Sequence, residues 1–160
     1  MMNKLKVLII ILLFTNPQLL SSQSIARFGG IHYNKNYIYG DFSLGIMNLA
    51  GNIRINYERN ITKIKIVDLN ARVGIGTWFD YSSSGIELPI SFQAILFDSP
   101  SHIELGIGSK WNRESNKSEI LPIINLGYRY ERYSKKTIFR FNLEYDTNYL
   151  IPFISYGVRF

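Results

Sequence analysis

Val67-Asp68-Leu69-Asn70-Ala71-Arg72-Val73-Gly74-Ile75-Gly76-Thr77-Trp78-Phe79 alternates between apolar and polar positions over thirteen residues. Val67, Leu69, Ala71, Val73, Ile75 and Phe79 share one side of an extended chain, with Asp68, Asn70, Arg72, Gly74 and Gly76 on the other. Successive side chains of a β-strand point to opposite faces, so a period of two sorts this set completely. A period of 3.6 would scatter the same residues around a helix. The stretch is a strand with one oily face and one polar face.

The same pattern recurs on both sides of it. Ile53, Ile55 and Tyr57 alternate with Asn52, Arg54, Asn56 and Glu58. Ile86, Leu88, Ile90, Phe92, Ala94 and Leu96 oppose Glu87, Ser91 and Gln93, and Ile103, Leu105, Ile107 and Trp111 oppose His102, Glu104, Gly106, Gly108 and Lys110. Ile124, Leu126, Tyr128 and Tyr130 oppose Asn125, Gly127, Arg129 and Glu131, while Phe139, Phe141, Leu143 and Tyr145 oppose Arg140, Asn142, Glu144 and Asp146. A last strand runs from Pro152 through Ile154, Tyr156 and Val158 to Phe160, with Ser155, Gly157 and Arg159 between. No helical period follows residue 25, so the fold class is all-β. Seven strands are odd, and a closed bacterial barrel has an even number. Phe42, Leu44 and Ile46, alternating with Ser43 and Gly45, supply an eighth over about Tyr37 to Ile46. The expected architecture is a closed antiparallel transmembrane β-barrel of eight strands.

Alternation leaves open which face is inside, and a soluble lipocalin-like barrel with an oily interior would alternate too. The polar face carries Arg54, Arg72, Arg129, Arg140 and Arg159 with Glu58, Asp68, Glu87, Glu104, Glu131, Glu144 and Asp146, close to balance. Gly74, Gly127 and Gly157 stand two residues from three of those arginines. Small residues beside long ones suit the narrow lumen of an eight-stranded barrel, whereas a solvent-washed exterior has no use for them. The charged face is therefore read as the interior. If strands alternate in direction and the last ends on the periplasmic side, Phe79, Trp111 and Tyr145 gather at one rim. Tyr57, Tyr128, Tyr130, Phe139 and Phe160 gather at the other. Aromatic belts of this kind sit at membrane interfaces. Pro89, Pro122 and Pro152 fall early in strands that enter from the outer rim, where a missing ladder donor is tolerable.

Ile154-Ser155-Tyr156-Gly157-Val158-Arg159-Phe160 resembles the terminal strand of Gram-negative outer-membrane β-barrels. Ile55-Asn56-Tyr57-Glu58-Arg59, Arg72-Val73-Gly74-Ile75-Gly76, Glu104-Leu105-Gly106-Ile107-Gly108 and Gly127-Tyr128-Arg129-Tyr130 resemble the spaced motifs of small outer-membrane barrel-domain proteins. The resemblance covers about Tyr37 to Phe160. It implies residence in the cell outer membrane, contact with outer-membrane lipid, and delivery by the barrel-assembly machinery, which would read Tyr156, Val158 and Phe160. It implies no settled activity.

Ahead of the barrel, Lys4 and Lys6 precede an apolar run from Val7 to Phe14, then Asn16, Pro17 and Gln18. That is the layout of a secretory signal peptide, too short in its apolar part for a membrane-spanning helix. Residues 1–22 are assigned to it, with Ser22 or Ser24 as the cleavage residue, 23–36 to a segment of uncertain structure, and 37–160 to the barrel. Cleavage at Ser22 removes two lysines and no acid, so the net charge of +6 becomes +4. So mild and dispersed a charge excludes a nucleic-acid partner.

Zero cysteines exclude disulfides, thiolate metal sites, a cysteine nucleophile and a lipidated N-terminal cysteine. With His32 and His102 as the chain's two histidines, no metal site or other cofactor is implied. No serine is tied to a histidine by spacing, and Gly74/Gly76 and Gly106/Gly108 open no helix and so are not phosphate loops. The expectation is a non-catalytic, monomeric, structural or surface-interacting barrel. Its lumen is filled by Arg54, Glu58, Asp68, Arg72, Glu87, His102, Glu104, Arg129, Glu131, Arg140, Glu144 and Arg159. A lipid-modifying hydrolase and a small passive channel are the alternatives.

Overall fold

A computed structural model describes residues 35–45, 50–96, 100–115, 117–132, 136–147 and 149–160. The proposed signal peptide and residues 23–34 lie outside them. Eight strands follow in order: β1 (Asn36–Gly45), β2 (Ala50–Ile64), β3 (Val67–Phe79), β4 (Ser84–Leu96), β5 (Ser101–Glu114), β6 (Lys117–Arg132), β7 (Thr137–Asp146) and β8 (Leu150–Arg159). Each pairs antiparallel with its sequence neighbours, and β8 pairs with β1 to close the barrel. Closure leaves no free sheet edge of the kind that lipid could not satisfy.

The stagger of the barrel can be read from the register. Facing residues run from Asn36 through Arg59, Ala71, Phe92, Ile107, Ile124 and Tyr145 to Leu150. Phe42 pairs with Ile154, four residues below Leu150, so the circuit returns to β1 at position 46, ten residues above Asn36. Strands in such a barrel tilt by roughly 35–45° and enclose a space that side chains fill.

The apolar parity faces out. Ile55, Ile75, Phe92, Ile107, Ile124, Leu126, Phe141, Ile154 and Tyr156 are all exposed, while the opposite parity is buried. This inverts a soluble fold. Tyr57, Tyr128, Tyr130, Phe139 and Phe160 lie toward the rim formed by Asn36 and the β2–β3, β4–β5 and β6–β7 connections, here the near rim. Phe79, Trp111 and Tyr145 lie toward the far rim.

Three details differ from the sequence reading. β5 and β6 extend beyond Trp111 and Ile124, where the alternation ends and begins: β5 runs to Glu114 and β6 starts at Lys117, which pairs with it, and Ser115 takes a φ of 34°. Pro89 does not sit at a harmless edge. It is the sixth residue of β4, and β3–β4 pairing skips there, from Val73↔Ile90 to Gly76↔Glu87, because proline offers no N–H. The strand glycines make room mainly for cross-strand neighbours. A Cβ on Gly127 would lie 2.8 Å from Asn142 Oδ1, and one on Gly157 would lie 2.6 Å from Tyr39 Cα.

Candidate functional site: the charged lumen

Inward-facing side chains form two ion clusters stacked along the barrel. Nearer the far rim, Arg54 on β2 donates through Nε to Glu87 on β4, and through Nη1 and Nη2 to both oxygens of Glu144 on β7, at 2.7 and 2.8 Å. Gly76, directly across from Arg54, leaves the space in which that long side chain lies: a Cβ there would stand 3.1 Å from Arg54 Cα. Lys110 on β5 donates to Glu144 at 3.2 Å and to Asp146 Oδ2 at 2.9 Å. Asp146 Oδ1 accepts the Tyr149 N–H at 2.8 Å, so one carboxylate holds the lysine and shapes the β7–β8 turn. Arg54 also stacks on the buried Phe153 ring, 4.2 Å from its centroid.

The second cluster is built around Glu58 and Glu104, both fully buried. Glu58 on β2 faces Arg72 on β3 in register and accepts from its Nε and Nη2 at 3.0 and 2.9 Å. It also takes Arg129 Nη2 at 2.6 Å, Asn70 Nδ2 at 2.6 Å and the Tyr39 hydroxyl at 3.0 Å. Arg129 on β6 and Arg140 on β7 stand directly opposite one another, an arrangement that repels by itself. Glu104 resolves it by accepting Nε of both at 3.0 Å, with Arg72 and Arg140 Nη2 on its other oxygen. Tyr37 and Tyr39 on β1 close the cluster, their rings 5.1 Å from Arg129 and 4.5 Å from Arg140.

Buried charge is costly unless paired and hydrogen-bonded, and these guanidiniums are paired. Arg54, Arg72, Arg129 and Arg140 each reach at least one carboxylate within hydrogen-bond distance. The planar forks of Arg54, Arg72 and Arg129 each bridge two carboxylates at once, which a lysine does with less geometric definition.

Of the residues singled out from sequence, Arg54, Glu87 and Glu144 meet in the first cluster and Glu58, Arg72, Glu104, Arg129 and Arg140 in the second. Glu131 joins Arg129 at 3.6 Å and reaches Arg159 at 3.5 Å near the mouth, where Arg159 is partly exposed. His102 is buried on β5, across from Arg129. Asp68 is the exception. It is the second residue of β3, so it lies at the near rim, where it faces Lys35 at 3.6 Å instead of entering the network. Asp41, Lys110 and Asp146 belong to the lumen and were left out of the sequence-derived set. So were Tyr37, Tyr39, Phe153, Ile123 and Ile138. Parity along β1 and β8 carried the signal for Tyr37, Tyr39 and Phe153, which fall on the same face as the charged residues.

At the far rim, Asp80 lies outside the barrel wall. Its carboxylate accepts the Ser82 and Ser83 N–H groups at 2.8 and 2.7 Å, and those bonds hold it below the usual carboxylate range.

No protein-family model matches the chain, and no curated protein matches it significantly. Solved structures do resemble it. The N-terminal β-barrel domain of Pseudomonas aeruginosa OprF aligns with a TM-score of 0.58 at 13% identity, over 79% of this chain and 96% of that one. The Yersinia pestis outer membrane protein Ail, in a phospholipid bilayer nanodisc, aligns with a TM-score of 0.56 at 7% identity, over 80% and 100%. The de novo designed TMB2.3 gives a TM-score of 0.50 at 12% identity, over 79% and 93%. At such identities the likeness is one of fold: the chain has the closed eight-stranded antiparallel architecture seen in outer-membrane barrel proteins.

Proposed function

We propose that this chain is an integral outer-membrane protein, monomeric and without catalytic activity. Its barrel serves as a structural or surface-interacting element, delivered by a cleaved signal peptide. The observation that carries the reading is the inverted partition: a predominantly apolar exterior of strand length sufficient to cross a bilayer, over an interior of paired ions. In water such an exterior would aggregate, and in lipid it is solvated.

Against a channel stand the two stacked clusters, whose side chains occupy the lumen from β2 across to β7. Against a lipid-modifying hydrolase stands His102, which is buried toward the lumen while acyl chains would lie against the opposite face. An open cleft of about 330 Å³ at the far rim, lined by Thr77, Ser84, Gly85, Ile86, Arg113 and Ser115, offers no acid or base pair. The test is insertion into lipid vesicles, followed by gel mobility with and without boiling and by single-molecule conductance. An intact barrel migrates differently from its boiled form and leaves the bilayer closed. Identical mobility would refute the barrel, and a steady nanosiemens pore would refute the filled lumen.

A further inference from the structure

The two rims differ in charge. Among the described side chains, the near rim sets Lys35, Arg59, Lys63, Lys65 and Lys136 against Asp68, the Arg159–Glu131 pair cancelling itself, which leaves a balance of +4. At the far rim Asp80, Glu114 and Glu119 outnumber Arg113 and Lys117, a balance of −1. Two of the near-rim lysines sit where lysine is a poor conformational choice. Lys65, in the tight turn between Ile64 and Val67, has a φ of 55°, and Lys136, just before β7, has a φ of 53°. These left-handed positions favour glycine or asparagine, yet both hold exposed lysines on the same side of the barrel. Charge, not turn geometry, accounts for the residue type there.

Apolar side chains are interleaved with these cations. Ile61, Ile64 and Ile66 are 42%, 55% and 56% exposed around Lys63 and Lys65, immediately beyond the belt marked by Tyr57. A binding face for a dissolved polyanion has no use for three exposed isoleucines. A face lying in the interfacial layer of a membrane needs both, with the isoleucines among upper acyl segments and the ammonium groups among phosphates.

We propose that the near rim is a basic collar that recruits anionic phospholipid headgroups from the leaflet it faces. The inference rests on the transmembrane reading above and adds a lipid class and a side to it. The full chain, inserted into phosphatidylcholine vesicles containing about 30% phosphatidylglycerol, is titrated with spin-labelled lipids of each headgroup. The motionally restricted fraction then reports relative association. The collar predicts a severalfold preference for phosphatidylglycerol at low salt that falls to parity near 1 M NaCl, as screening shortens to about 3 Å. Lys65→Gly together with Lys136→Gly relaxes both turns while removing two charges, so it should at least halve the preference with the barrel's heat-resistant mobility intact. Arg113→Gln with Lys117→Gln, on the far rim, should leave the preference unchanged. Equal association of the two lipids with the wild-type chain overturns the proposal. So does a preference that survives the double glycine change, or one lost equally in the far-rim variant. Pelleting of the protein with purified peptidoglycan in place of a lipid preference also overturns it. Absence of restricted lipid of either kind would instead bring down the transmembrane reading itself.

Discussion

Glu104→Gln is the sharpest probe of the buried ions. Glu104 Oε2 accepts Arg129 Nε and Arg140 Nε, each at 3.0 Å, and Oε1 accepts Arg72 and Arg140 Nη2. A glutamine of the same shape keeps one acceptor and turns its NH₂ toward two guanidinium donors. It also removes the carboxylate charge that holds Arg129 and Arg140 face to face. Breaking a buried ion pair from one side costs about 3–5 kcal/mol. With a urea slope of roughly 2 kcal/mol/M, the unfolding midpoint in lipid vesicles should fall by about 2 M. Asp68→Asn supplies the contrast: its partner Lys35 lies 3.6 Å away at the partly exposed rim, where such pairs contribute roughly 0–1 kcal/mol. Its midpoint should move by less than about 0.5 M. Equal shifts for the two variants, read by tryptophan fluorescence and by the fraction of heat-resistant band, would refute the argument that the Glu104 cluster is water-poor and tightly paired.

Gly157→Ala should hinder closure of the β1–β8 seam, because a Cβ there meets Tyr39 Cα at 2.6 Å, whereas Gly40→Ala, whose Cβ has Arg54 O at 3.7 Å, should be neutral; the yield of heat-resistant barrel separates them. The Asp80 carboxylate is held below its ordinary range, so its bonds to Ser82 and Ser83 are fully present above that range and are lost as pH falls through the lowered value. Amide exchange at Ser82 and Ser83 should rise in acid, and Asp80→Ala should mimic that loosening at neutral pH without moving the global midpoint. Phe160 exchanges two backbone bonds with Asn36 and leaves its ring exposed. Phe160→Ala should therefore refold normally in detergent yet be depleted from the outer membrane if its ring is what the assembly machinery grips; normal abundance in fractionated cells would reduce it to an interfacial anchor.

The fold was legible because lipid and lumen sort side chains by the same period of two that the backbone imposes. Val67–Phe79 was bounded to the residue, since the two faces alternate without a break from Val67 to Gly76 and Phe79 resumes the apolar one. Other strands were read short wherever a face lost contrast. β2 continues from Glu58 to Ile64 through a register shift at Asn60/Thr62, which breaks the alternation. β6 begins seven residues before Ile124, where a polar run, Lys117-Ser118-Glu119, is followed by an apolar run, Ile120-Leu121-Pro122-Ile123, and neither alternates. The arginines and glutamates declared themselves as one set by parity, but their division into two clusters did not. That division depends on the ten-residue stagger, a sum over eight registers that no single strand encodes. The stagger is also why Asp68, on the correct face, ends at the mouth.

The stagger raises the question of what selects it. A slip of two residues between neighbouring strands keeps every apolar side chain facing lipid, so the exterior cannot distinguish the observed register from its neighbours. The lumen can. Sliding β3 by two against β2 would set Arg72 across from Asn56 or Asn60, and Glu58 across from Gly74 or Asn70, in place of the Glu58–Arg72 pair. Each such slip strands a guanidinium and a carboxylate in a space where neither can be hydrated well. On this argument the ion clusters specify one register more than they add net stability, since well-packed apolar replacements of buried ions are often neutral or stabilising. Replacing Glu58, Arg72, Glu104, Arg129 and Arg140 together by leucine should therefore keep the unfolding free energy within about 2 kcal/mol of the wild type. The variant should at the same time give more than one set of backbone amide signals in nanodiscs, as barrels of different stagger coexist. A single, wild-type-like set would show that turn geometry alone fixes the register and that the charges serve some other end.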